Sequence, residues 1–510
     1  MERTLPFAGE RFFAYVCRMK RPRWILGLLV LSMLLPGCGK QMPDEYKQLD
    51  KETRQLRMYA NTFAWNEMNF YYLWKAEVAS AMEKWQNWEE PIAKVAAIRY
   101  KDVRGEDIDR WTMLTDDFSS FTGSVSGHTR TLGLDYRLYY YDEARTRVCA
   151  VVTFTYDGSP AAEAGIGRGA VILKVDGREM TPDNYRELVR NGLLGGGTVT
   201  LGFSDGRSVT LTAVDMYENP VHTVRILERE DGRKVGYLHY ASFTLDSCQD
   251  LVDAFKGFTD EGIDELVLDL RYNGGGYVLA ETVLASMLAP VAAVEGKRVF
   301  SREVFNETLT EEVGKDSTCF GTGFTYRSGG ELQVVSTARA NPDLRRLFVL
   351  TTEGSASASE SLICGLKPYM DVVVVGARTS GKYCAGLLLP ASNWVDEVKD
   401  ALEDGEYEVA KPLLANWGLY VMYSRYADCN GRTLSMPDGI APDHEVADKP
   451  GDGFDLGDPH ETMLAAALSL IEDGSVGGRT RSAPDGPALT PVPDAPRRPG
   501  FGLLVRELPR

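Results

Sequence analysis

Histidine is scarce in this chain: five in 510 residues, His128, His222, His239, His444 and His460. None stands in a setting recognisable as a triad, so a nucleophile here would need another base. The eight cysteines form no CxxC pair, which removes the usual zinc patterns, and no metal ligand set is assigned. Cys149, Cys248, Cys319, Cys364, Cys384 and Cys429 are scattered, and spacing assigns no disulfide among them. Extended Lys/Arg runs are also missing. With 56 Lys and Arg against 73 Asp and Glu the formal net charge is -17, and such a surface repels phosphate backbones, excluding nucleic acid as a partner. The one membrane-like stretch, residues 24–35, falls short of the ~20 apolar residues that span a bilayer.

What that stretch does have is a basic flank, Lys20, Arg21 and Arg23, and a following Leu35-Pro36-Gly37-Cys38. This pattern reads as a secretory leader, residues 1–37, ending in a lipobox with Cys38 as the lipidation site. The chain is therefore expected in a bacterial cell envelope, periplasmic or surface-exposed, and held to a membrane by that anchor. Losing the leader removes six cations and two anions, moving the net charge from -17 to -21.

The remainder divides by pattern into an α+β multidomain chain. Residues 38–127 read as a helical domain, with Tyr59, Phe63, Trp65, Met68 and Tyr72 at helical spacing as packed core. Residues 128–218 change to short β-branched runs, at 148–155, 170–175, 199–203 and 209–213, separated by glycine. Residues 219–473 alternate buried strands (234–239, 265–270, 347–351, 371–375) with helical patterns (278–288, 359–366), the signature of an α/β layer structure. Residues 474–510 are rich in Pro, Gly, Arg and Ser and read as a flexible tail, closed by the apolar run 501–505, which raises the question of self-docking.

Three turns in the α/β part carry chemistry. After strand 347–351, Ser357 opens a helix, with Glu360 at capping-box spacing. A hydroxyl there sits beside free amides at the positive helix end, which suits oxyanion stabilisation but leaves the serine a weak nucleophile without a base. Lys382 follows an apolar strand in a glycine-flanked turn, where desolvation lowers a lysine pKa and makes it that base. Residues 376–382 also have P-loop spacing, yet Tyr383 stands where Ser or Thr must hold magnesium, which argues against nucleotide. Third, strand 265–270 runs into Gly274-Gly275-Gly276, where main-chain amides can approach a ligand unobstructed.

Residues 159–177, SPAAEAGIGRGAVILKVDG, resemble the corresponding part of PDZ domains. Together with DLRYNGGG, GSASASE, GARTSGK and GIAPD (439–443), in that order, they resemble the C-terminal processing, or tail-specific, proteases over about residues 129–446. The resemblance implies a ClpP/crotonase-like protease core and a serine endopeptidase with Ser357 as nucleophile and Lys382 as base. It implies an oxyanion hole from the Ala358 amide and one from the triple glycine, Gly275, with Gly274 and Gly276 left open. It also implies capture of proteins or peptides with apolar C-termini by a PDZ groove near Leu132, Gly133 and Leu134, and no cofactor. Two departures stand out. The family's glutamine four residues after the lysine is here Gly386, leaving the orienting group unassigned, and Cys384 lies in the same turn. The competing reading is a catalytically silent scaffold that only binds tails.

Overall fold

A computed structural model describes residues 42–314, 316–382, 384–432, 438–476, 489–493 and 504–506. The expected leader and Cys38 lie outside the described residues. Among those described, no helix is long and apolar enough to cross a membrane. The molecule is a mixed α/β structure with several sheets.

The sheet that positions the candidate site has six strands. Lys234–Tyr240, Glu265–Asp269, Arg346–Thr351 and Asp371–Gly376 run parallel in that spatial order, flanked by Val221–Glu228 (antiparallel) and His444–Glu445 (parallel). Parallel strands that are apolar at nearly every position need cover on both faces. Leu266, Leu268, Leu347, Val349, Val372 and Val374 face the helices Cys248–Glu261, Val278–Leu288 and Ala358–Leu366. Their alternates Val267, Phe348, Leu350 and Val375 meet Met463, Leu464, Ala467 and Leu468 of the helix Thr462–Asp473. The strand alternation seen in the sequence thus becomes two apolar layers, one on each side.

A second, mainly antiparallel sheet is built on the long strand Gly418–Asp428, which pairs with Cys384–Pro390, Val299–Phe305 and the short strand Met113–Thr115. The amino-terminal helices Lys51–Tyr71 and Pro91–Ile98 do not bury a core of their own. Tyr59, Phe63, Met68 and Tyr72 join the same hydrophobic cluster as the α/β helices, Trp65 packs at its margin, and the Leu73 amide donates to the Met422 carbonyl at 2.8 Å.

A third sheet, with a separate core that includes Leu138, Val152, Ile172 and Leu201, contains Leu134–Tyr140, Val148–Thr155, Val171–Val175, Thr198–Phe203 and Ser208–Thr212. Ser159 caps the short helix Pro160–Glu163 by accepting from the Ala162 amide at 3.2 Å. This unit is tied to the α/β part by a buried ion cluster. Arg168 donates to Asp448 and to the Tyr272 hydroxyl, while Arg271 donates to Asp269, Asp448 and Glu461.

The stretch read as a flexible tail contributes two strands. Thr490–Pro491 pairs antiparallel with the edge strand Leu134–Tyr140, and Leu504–Arg506 lies between Gly276–Tyr277 and Cys384–Pro390. A proline-bearing pair such as Thr490–Pro491 has little strand propensity of its own, so that pairing comes from the sheet edge it meets.

Candidate active site

Three neighbouring parallel strands end at one place, and the three chemistry-bearing turns leave from those ends. Glu265–Asp269 leads to the triple glycine, Arg346–Thr351 to Ser357, and Asp371–Gly376 to Lys382. This is where open α/β sheets hold ligands.

Ser357 immediately precedes the helix Ala358–Leu366 and has φ 63° and ψ -112°. A non-glycine residue there costs about 1–3 kcal/mol and persists only where its surroundings hold it. Those surroundings are identifiable. The Asn273 carbonyl accepts from the Ala356 amide and the Ser359 hydroxyl, both at 3.0 Å, and the Asn273 side chain donates to the Tyr240 carbonyl at 2.7 Å. Ser355 Oγ donates to the Leu270 carbonyl at 2.7 Å. The serine turn is therefore stapled to the glycine loop. Ser357 Oγ is buried and has no hydrogen-bond partner among the described residues.

Glu360 joins the serine turn to the lysine turn. Its Oε2 accepts from the Ser357 amide at 2.9 Å and from the Lys382 amide at 2.8 Å. Its Oε1 accepts from the Gly381 amide at 2.8 Å and from Thr379 Oγ1 at 2.5 Å. Burial raises the pKa of this carboxyl, and the four hydrogen bonds oppose that rise. Thr379 Oγ1 accepts in turn from the Ile440 amide at 2.7 Å, so the GIAPD stretch braces the lysine turn.

Lys382 is fully buried. Its Nζ donates to the Tyr420 hydroxyl at 3.1 Å and lies 5.3 Å from the ring centroids of both Trp111 and Tyr420. Burial lowers its pKa to about 8, against the opposite pull of Cys384, Asp109 and Glu360. A lysine so placed is partly neutral near physiological pH and can accept a proton. No Ser357–Lys382 hydrogen bond is formed in this state, because Nζ is turned to Tyr420.

The other expected residues fall as follows. Ala358 is the first residue of the helix, where the amide has no intrahelical acceptor. The Gly275 amide already donates to Asn273 Oδ1 at 2.8 Å and would have to leave it to serve an oxyanion. Leu132 and Leu134 are buried in the core of the third sheet, with Gly133 between them at φ 73° and its amide on Thr131 Oγ1. Cys384 is fully buried against Met422, and burial pushes its thiol up to about 12, so it is not a thiolate.

Gly386 has a steric explanation. A Cβ there would lie 2.3 Å and 2.4 Å from ring atoms of Tyr420 and 2.6 Å from the Met422 methyl. The Tyr420 ring fills the room a side chain at 386 would need, and its hydroxyl reaches Lys382. Sequence reasoning missed Tyr420 and Trp111, which carry no local signal. It registered Glu360 only as a capping residue, and that spacing was the available clue.

A strained buried serine at a strand-to-helix turn, a buried lysine of lowered pKa and a glycine loop beside them are the parts that serine hydrolase chemistry requires. Residues 234–446 match the sequence model of peptidase family S41. The chain is similar to a carboxyl-terminal-processing protease of Synechocystis, 26% identical over 324 residues, covering 62% of this chain and 64% of that protein. It is also similar to a protein of Staphylococcus aureus (strain COL) named as a CtpA-like serine protease, 30% identical over 240 residues, 46% of this chain and 41% of that one. The chain thus spans less than two thirds of the length of these relatives. Among solved structures it resembles a Bacteroides fragilis protein assigned to the S41 proteases, with TM-score 0.59 and 22% identity over 85% of this chain and 98% of that one, a likeness of fold.

Proposed function

We propose that this chain is a serine endopeptidase in which Lys382 takes the proton of Ser357 as Ser357 attacks the scissile carbonyl, the C–N bond breaks as Lys382 passes that proton to the leaving amine, and water, giving a proton to Lys382, releases the carboxylic acid and restores Ser357. The observation that supports the reading is the Glu360 carboxylate, which accepts the amides of Ser357 and Lys382 on one oxygen and so ties the serine turn to the lysine turn. The Ala358 amide is the first oxyanion donor, and the second comes from the Gly275 loop once an amide there is released. Tyr420 takes the orienting role left open by Gly386. The chemistry calls for neither metal nor organic cofactor. In this reading residues 219–473 are a ClpP/crotonase-like core, preceded by a helical region (38–127) and a PDZ domain (128–218). The PDZ domain receives apolar C-termini of envelope proteins along the edge of Leu134–Tyr140, near Leu132, Gly133 and Leu134, by strand addition. Cys38 carries the lipid anchor, and residues 474–510 follow the core.

The test is cleavage of an unstructured protein with an apolar C-terminus by the chain lacking residues 1–38, beside Ser357→Ala and Lys382→Ala. Loss of cutting in both folded variants supports the dyad. Cutting that survives either change refutes it. The silent-scaffold reading draws support from one feature, the turning of Lys382 Nζ to Tyr420 rather than Ser357. It predicts tail binding without cleavage by the unaltered chain.

A further inference from the structure

The terminal strand Leu504–Arg506 occupies a specific place. It runs parallel to Gly276–Tyr277 on one side, with Leu504 opposite Gly276 and Val505 opposite Tyr277. On the other side it runs parallel to Cys384–Pro390, with Val505 opposite Gly386 and Arg506 opposite Leu387. The first neighbour continues the triple glycine, and the second begins two residues after Lys382. The strand thus fills the seam between the loop beside Ser357 and the turn that carries the base. Val505 is fully buried in the main core cluster. Ser357 and Lys382 are themselves without solvent exposure in this state.

The same terminal region meets the other groove. Thr490 and Pro491 pair antiparallel with Tyr140 and Tyr139, and the Val492 amide donates to the Leu138 carbonyl at 3.0 Å. Val492 is buried among the core residues of the third sheet, which include Leu134 and Leu138. This is the free edge that leaves the Leu132–Gly133–Leu134 turn, and an added strand here runs towards that turn as it proceeds to its C-terminus. The apolar run 501–505 raises the question of self-docking. Its described residues, 504–506, lie instead in the second sheet, and residues 490–492 take the groove edge.

We propose that the chain's own C-terminal region is an intramolecular ligand of both grooves, and that the form described here is self-occupied, with an external polypeptide having to displace it. The proposal rests on the peptidase reading for its consequence, though not for the occupancy itself. The ligand class follows from the contacts: an extended, β-compatible segment bearing Val at the positions that go inside, held chiefly by main-chain hydrogen bonds. A tethered segment competes at an effective concentration on the order of 1 mM, so a free peptide with the same contacts and a Kd of about 10–100 μM is weakened about 10- to 100-fold.

The test compares the full chain with a chain ending at Ala488 and with full-length Val505→Asp and Val492→Asp, the last leaving the central sheet untouched in case the first two fold poorly. In the Ser357→Ala background, binding of a fluorescent peptide of residues 489–510 is measured for each. The shortened chain and the point variants are expected to bind it at least ten-fold more tightly than the full chain. With Ser357 present, kcat/KM on an unstructured reporter is expected to rise at least ten-fold on truncation, and added peptide to raise KM while leaving kcat. Equal peptide affinity for full and shortened chains, or no binding to the shortened chain, overturns the proposal. If the peptide binds as expected while no chain cuts the reporter, the occupancy stands and the peptidase reading falls.

Discussion

Replacing Glu360 by glutamine preserves the volume of the clamp and removes its charge. The carboxylate accepts four hydrogen bonds, two on each oxygen, from the amides of Ser357, Gly381 and Lys382 and from the Thr379 hydroxyl. An amide has one oxygen, so two of the four donors must meet an NH2 group. Thr379 can turn its hydroxyl and accept, since it needs only to reorient a rotor. One buried backbone donor is then left unpaired, at a cost of about 1–3 kcal/mol. The remaining contacts lose their charge assistance, about 1 kcal/mol each. Relief of the carboxylate's desolvation, visible in its raised pKa, works the other way. The net cost is about 2–5 kcal/mol, concentrated where the serine and lysine turns meet. Displacing either turn by about 1 Å is enough for a loss of about 100-fold in rate. The assay is kcat/KM on an unstructured reporter, with labelling of Ser357 by a fluorophosphonate as a second readout. Glu360→Gln is expected to lose about 100-fold in both while retaining its circular dichroism. Rates within three-fold of the unaltered chain would refute the clamp.

The pH profile of kcat/KM should rise with pH and level off above about 8, because the form of Lys382 that acts in the proposed mechanism is the neutral one and its pKa is lowered to about 8; about a tenth of it is neutral at pH 7. Trp111→Ala should move that midpoint to higher pH, since admitting water at Nζ restores the charged form, worth 1.36 kcal/mol per unit, and outweighs a lost cation–π contact of about 0.5–1 kcal/mol. A midpoint that stays or falls would refute that ranking. Gly386→Gln, which introduces the residue that the family resemblance implies there, should inactivate and destabilise the chain by thermal melt because its Cβ meets the Tyr420 ring at 2.3 Å. Glu281, fully buried on the helix Val278–Leu288, has its pKa raised by burial to about 8 from 4.5, with Ser361 pulling the other way. Its protonated form stabilises the fold below about pH 4.5, and that stability drains away as pH rises to 8, so Glu281→Gln should raise the melting temperature at pH 8 more than at pH 5.

Local pattern carried far in this chain, and its reach stops at identifiable residues. Strand 371–375 and helix 278–288 were legible because apolar runs and helical spacing are local properties, and Asp371–Gly376 and Val278–Leu288 follow them closely. Ser357 was legible as a helix start with Glu360 as its capping partner, yet its positive φ depends also on Asn273, whose carbonyl holds Ala356 and Ser359 from another turn. Trp111 and Tyr420 were invisible because each reaches Lys382 across hundreds or tens of residues through sheet pairing, not through spacing. The amino-terminal region read as a helical domain of its own from its aromatic stripe. The stripe is core, but the core belongs to the whole α/β body. The two terminal strands were missed for the same reason: an edge recruits a partner whose own sequence need not announce it.

These long-range contacts explain how a departure from a family pattern is absorbed. A base needs two things from its surroundings, a dry pocket that lowers its pKa and a polar group that fixes its direction. Here the dryness comes from Trp111 of the amino-terminal region and from the Tyr420 ring, and the direction from the Tyr420 hydroxyl, so one side chain serves both needs. That economy is possible only because residue 386 has no side chain, for any Cβ would push the ring away. Glycine at 386 and tyrosine at 420 are therefore one coupled feature rather than a defect and a bystander. Because Trp111 enters just before the strand Met113–Thr115, which pairs with the strand bearing Tyr420, the surroundings of the proposed base Lys382 include a segment that lies outside the family-matched residues 234–446.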